Sequence, residues 1–76
     1  MTRSEWCCRF GNKLRKLLED KDMTQKELAD KLYVSESFIS RLLNGSKMPS
    51  IKMVINISYA LNVSIDSFTY FGGRID

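Results

Sequence analysis

Two short helical signals separated by three residues limit what this chain can fold into more than any other feature. "TQKE" at 24–27 is a capping box: Thr24 can accept from a free backbone N–H while Glu27 reaches back. Leu28, Ala29 and Leu32 then supply an apolar helical face, so a helix is expected over about residues 24–32. Ser35 can cap a second helix running to Asn44, and Gly45 supplies the left-handed stop that helix ends favour. Between the two lie only Tyr33, Val34 and Ser35. That connection is too tight for antiparallel packing and suits two helices that cross steeply.

The remaining periodicity is helical too. Trp6, Phe10, Leu14, Leu17 and Leu18 mark a helix before "EDKD", with Thr2, Ser4 or Glu5 as its possible start. Ile51, Val54, Ile57, Ser58 and Leu61 predict a fourth helix over about 51–61. Ser64 can cap a fifth, "IDSFTYF", closed by Gly72 and Gly73. No window alternates as a strand does, so the expected class is all-α, a compact five-helix bundle. Its 76 residues fit one small domain with one modest core. We divide them into 1–9 as an extension or first turn of helix one, 10–71 as the domain, and 72–76 as a short tail.

The third helix has two distinct sides. At about 100° per residue, Glu36, Ser37, Ser40, Arg41 and Asn44 share one arc, while Ile39, Leu42, Leu43 and Phe38 share the opposite one. Phe38 falls at the boundary beside Arg41, where its ring would seal the edge of the core.

"TQKELADKLYVSESFISRLLNG" resembles the helix-turn-helix of the Cro and phage-repressor type, and the likeness continues through "MPS" and "ALNVSIDSF", covering about residues 10–70. Gln25, Leu28, Ala29, Leu32, Val34, Ile39, Leu42, Gly45, Pro49, Leu61, Val63 and Ile65 all fall where that family places like residues. The resemblance implies a lambda-repressor-like five-helix domain that binds double-stranded DNA, with the third helix in the major groove and usually a two-fold dimer. Three departures stand out. Tyr33 occupies the turn position that most often holds Gly, and a left-handed tyrosine there would cost about 1–2 kcal/mol unless its ring packs. Leu18 and Leu43 stand where many members carry a buried Arg–Glu pair, and we expect the two leucines to touch. "MTRSEWCC" has no role that the resemblance assigns.

On this reading the base-facing candidates are Glu36, Ser37, Ser40 and Arg41. Short serines let the backbone approach the bases, Arg41 suits bidentate pairing with guanine, and Glu36 could accept from a cytosine amino group. Glu36 could equally do no more than complement the helix dipole. The resemblance points to Gln25 and Asn44 as phosphate contacts, with Ser35, Ser46, Lys47 and Lys52 on the same stretch of surface. A homodimer is the default for a single recognition helix. Tyr70 and Phe71 are its candidate seam, or else fold back onto helix one beside Trp6, Phe68 matching a core position in the family instead. Met53, Ile55 and Tyr59 are weaker candidates.

Other function classes find little support. Net charge of +3 permits a polyanion partner without demanding one. With no histidine, no Gly-rich phosphate loop and no converging carboxylates, catalysis has no constellation to carry it, and no cofactor is expected. Cys7 and Cys8 are adjacent, so neither a zinc site nor a disulfide framework is expected within one chain, and both thiols should be free and partly buried. No apolar run approaches a membrane span and no secretion signal opens the chain, so the expected location is the cytoplasm. The leading expectation is a bacterial or phage repressor that occludes a promoter. An antitoxin-like module that autoregulates its promoter is the alternative, disfavoured by the short "GGRID" tail.

Overall fold

The computed structural model describes residues 2–69. Thr2 opens the first helix, α1 (Arg3–Asp20), by accepting the Glu5 backbone N–H at 3.1 Å. Residues 3–9 are thus the first turns of α1, and Trp6 and Cys7 are buried in the core. The Trp6 and Phe10 rings stack at 5.3 Å between centroids with planes 11° apart, a contact open to residues one turn apart on the same face. Cys7 donates its thiol to the Met48 sulfur at 3.4 Å and so ties α1 to the loop before the last long helix. Both cysteines are free, but Cys8 is exposed rather than partly buried, because the next residue on a helix turns about 100° away.

The capping box forms as expected. Thr24 Oγ1 accepts the Glu27 N–H and Glu27 Oε1 accepts the Thr24 N–H, each at 3.1 Å, opening α2 (Gln25–Leu32). Ser35 accepts the Phe38 N–H at 3.1 Å and opens α3 (Glu36–Leu43). Asn44 is the cap of α3 rather than its last residue, and Gly45 takes the left-handed conformation at φ 80°. Ser50 caps α4 (Ile51–Leu61), which closes on a left-handed Asn62. Buried Ser58 on α4 is satisfied by donating its hydroxyl to the Ile55 carbonyl at 2.6 Å.

The domain does not form the expected bundle of five full helices. Four are full helices, and the segment expected as the fifth forms a single turn, α5 (Asp66–Thr69), within the described residues. Ser64 closes onto this turn through its carbonyl, which accepts the Ser67 N–H at 3.0 Å, while its hydroxyl pairs with that of Ser67 at 3.2 Å. One turn fixes several backbone angles for very few hydrogen bonds, so it depends on its packing against α1. Tyr70, Phe71, Gly72 and Gly73 lie outside the described residues, as does the side chain of Phe68.

Phe10, Leu14, Leu28, Ile39, Leu42 and Ile57 are fully buried and join α1, α2, α3 and α4 in one core. Each such side chain contributes about 1.5–3 kcal/mol of burial. α1 packs on α3 and α5, while α2 packs on α3 and α4. α1 and α3 approach closely at Gly11. A Cβ there would lie 2.8 Å from the Leu42 carbonyl oxygen and closer still to that of Leu43. The end of α3 therefore rests on bare backbone of α1. Leu18 and Leu43 are both buried and border one depression between these helices.

Gly11→Ala should lower stability by about 1–3 kcal/mol despite alanine's higher helix propensity, since neither backbone can yield without shifting a helix. A urea midpoint equal to or above that of the parent chain would refute this close approach. Leu43→Glu should also destabilise strongly by burying an unpaired charge, and adding Leu18→Arg should recover part of the loss. Thermal melts of the single and double variants test that pairing, which fails if the double variant is no more stable.

Candidate nucleic-acid interface

The tight turn between α2 and α3 depends on Tyr33, which adopts φ 58° and ψ 41° as the left-handed cap of α2. Its ring is 95% exposed, so burial of the ring does not offset the backbone cost. A ring standing off a tight corner finds no neighbour beneath it. Val34 continues the turn by donating its N–H to the Ala29 carbonyl at 3.0 Å, and its side chain packs on the core.

From this turn α3 extends with one face inward and one outward. Ile39, Leu42 and Leu43 are buried, whereas Glu36, Ser37, Ser40 and Arg41 are all exposed. Eight residues at a rise of 1.5 Å make the helix about 12 Å long, comparable with the width of a DNA major groove. Glu36 lies in its first turn and Arg41 in its last, so both charges complement the helix dipole.

Around the ends of α3 the polar groups are held by the backbone. Ser35 uses an oxygen lone pair as the cap, which leaves its O–H as a donor. Asn44 accepts the Ser46 N–H at 3.0 Å through its side-chain oxygen, so its amide NH₂ remains available to donate. Ser46 turns its hydroxyl to the Arg41 carbonyl at 3.4 Å. Lys47 places its ammonium 5.8 Å from the centre of the Phe38 ring. Phe38 is half-buried and packs on the core, so it both seals the core edge and seats Lys47. Gly45 lies against Cys8: a Cβ there would come within 3.0 Å of the thiol sulfur.

Gln25, the first residue of α2, is half-buried and shares a depression of about 370 Å³ with Leu43, the last residue of α3. Residues 18 apart in sequence thus meet at one spot. Lys52 is exposed on the first turn of α4, with no hydrogen bond or ion pair to α3. Arg15 was not singled out from the sequence, yet it borders the same depression and donates from Nη2 to the Leu43 carbonyl at 3.5 Å. With Glu19 four residues on, it reads in sequence as an ordinary surface pair. Among the described residues, no group of three or more His, Cys, Asp or Glu could hold a metal ion, and no helix is long and apolar enough to cross a membrane.

A recognition-type helix held across a three-residue left-handed turn defines a helix-turn-helix domain. The chain belongs to the HTH_3 family, described as Helix-turn-helix and of the Cro and lambda-repressor type, which it matches over residues 14–68. It is similar to an uncharacterized HTH-type transcriptional regulator, YqaE, of Bacillus subtilis, with 39% identity over 57 residues. The same identity and length relate it to the HTH-type transcriptional activator BcrR of Enterococcus faecalis. These alignments cover 75% of this chain but only 49% and 28% of those two proteins, so the chain matches less than half of either. In fold it is similar to an HTH_3 family transcriptional regulator from Vibrio cholerae, with a TM-score of 0.82 and 21% identity over 88% of this chain and 38% of that one. It is also similar to the restriction-modification controller protein C.AhdI from Aeromonas hydrophila, with a TM-score of 0.78 and 22% identity over 82% of this chain and 94% of that one.

Because the Tyr33 ring packs on nothing, Tyr33→Gly should stabilise the domain by about 1 kcal/mol. The check is a denaturation midpoint, and a destabilised glycine variant would show that the tyrosine side chain contributes a contact.

Proposed function

We propose that the protein is a sequence-specific transcriptional regulator that binds double-stranded DNA. The observation that carries this reading is the division of α3. Ile39, Leu42 and Leu43 on its apolar face are buried in the core, while Glu36, Ser37, Ser40 and Arg41 form a continuous exposed face narrow enough for the major groove. Arg41 reads guanine, the serines let the helix backbone approach, and Glu36 accepts from cytosine. Gln25, Ser35, Asn44, Ser46, Lys47 and Lys52 take the flanking phosphates, which supply most of the affinity. The free NH₂ of Asn44 and the seated ammonium of Lys47 are donors of the required sign.

The protein acts as a homodimer on a near-palindromic operator, since one helix of this length reads a single half-site. Tyr70 and Phe71 contribute to its seam. Exposed Met48, Ile51 and Ile65 also rim an apolar groove of about 340 Å³ floored by Trp6 and Val54, a surface that a second copy could cover. Repression by occupying the promoter, in the cytoplasm at the nucleoid, is the mechanism we favour. The activator name of one relative makes a promoter–reporter assay the direct check on the sign of regulation.

Selection of binding sites from random duplexes at two salt concentrations should enrich one near-palindromic motif. A steep salt dependence with no enriched motif would overturn sequence-specific recognition. On the selected duplex Arg41→Ala should cost about 1–3 kcal/mol and relax preference at one base pair, whereas Asn44→Ala should weaken all sequences alike.

A further inference from the structure

Arg15 lies on α1, outside the helix-turn-helix, and its nearest charge in sequence register is Glu19, one turn on. That ion pair does not form among the described residues. The guanidinium instead crosses to α3 and donates from Nη2 to the Leu43 carbonyl at 3.5 Å. This carbonyl belongs to the last turn of α3, where no intrahelical N–H reaches it and where the helix dipole is negative. A cation at that point holds the end of the recognition helix against α1.

Arginine carries five N–H donors in a planar fork, and one bond to Leu43 leaves the others available. The depression they border is also bordered by Gln25 at the start of α2. Next to Leu43 comes Asn44, whose amide NH₂ is uncommitted. Gln25 and Arg15 are therefore donors from two helices that border one depression, and Asn44 is the exposed cap that follows Leu43 at its edge of α3. Glu19 and Asp22 border it as well, and their charges oppose capture of a small free anion. A phosphate fixed in a duplex and already held on either side is the ligand that tolerates them.

We infer that Arg15 is a DNA-phosphate contact that also positions the end of the recognition helix. This rests on the DNA-binding reading above and adds a residue from outside the motif to it. The remaining donors of Arg15 engage one backbone phosphate between those held by Gln25 and Asn44, while its bond to Leu43 keeps Asn44 in register with the same strand.

The test is fluorescence anisotropy of the full chain on the selected duplex and on a scrambled one, across a salt series, for the parent chain, Arg15→Ala, Arg15→Lys and Arg9→Ala. Arg9 is exposed on α1 outside the depression and serves as the charge-matched control. Arg15→Ala should lose about tenfold in affinity on both duplexes. Its plot of log K against log salt should be shallower by about 0.9, one phosphate's worth. Arg15→Lys should keep the parent slope and recover only part of the affinity, because an ammonium cannot serve both partners as the fork does. Arg9→Ala should match the parent in slope and affinity. If the parent binds but Arg15→Ala keeps its slope, the phosphate contact is refuted while DNA binding stands, even if affinity falls through a shifted helix. An equal slope change in Arg9→Ala refutes it too, by showing a general charge effect. Failure of the parent chain to bind any duplex overturns the DNA-binding reading itself.

Discussion

The end of α3 lies on the backbone of α1 at Gly11, and the placement of the α3 residues on the proposed DNA-facing surface follows from that contact. A helix that must present one face to DNA needs its opposite face held without play. Side chains alone permit small rotations, whereas backbone against backbone leaves no intervening atoms to rearrange. Leu42 and Leu43 are the residues whose carbonyls meet Gly11, and their side chains are themselves buried. One short segment thus sets how far α3 sits from α1 and which way it is turned. Glycine weakens a helix interior by about 0.5–1 kcal/mol relative to alanine, and at this position the close approach offsets that cost.

Polar groups at the margins of α3 serve the fold first and the surface second. Ser35 caps the helix and still has a hydroxyl proton to give. Asn44 closes the loop onto Ser46 with its oxygen, which leaves its NH₂ to donate. Phe38 spends most of its ring on the core edge and seats Lys47 with the remainder. Because each group is fixed by an intramolecular bond, little ordering is left for binding to impose. Tyr33 is the exception, a left-handed residue whose ring rests on nothing in the domain.

Much of this was legible beforehand where local rules apply. The capping box at Thr24 and Glu27, the cap at Ser35 and the stop at Gly45 each obey chemistry confined to four or five consecutive residues. The two-sided character of α3 follows from helical spacing alone, and its exposed and buried residues divide as that spacing requires. The fifth helix was overread, because a cap and a few apolar residues cannot reveal that only one turn has packing beneath it. Tyr33 stands out in the sequence as an unusual residue for a tight turn, but whether its ring packs depends on how the corner sits on the rest of the domain, and it stays exposed.

The chain's periodicity and capping by themselves determined four helices, their order, and the face of α3 left for solvent. What only the tertiary structure decided concerns residues far apart in sequence. By local rules Gly11 only weakens its helix, and its use shows when Leu42 and Leu43 are brought onto it. Trp6 and Cys7 lie in a segment to which the resemblance assigns no role, and only packing shows that they close the core and that Cys7 reaches Met48. Arg15 reads as half of a surface ion pair until its guanidinium turns to the Leu43 carbonyl. Helix periodicity is a property of neighbours three and four apart, so it shows which side of each helix must be covered. Which backbone covers it, and which cation meets an exposed carbonyl there, depends on how the helices pack against one another.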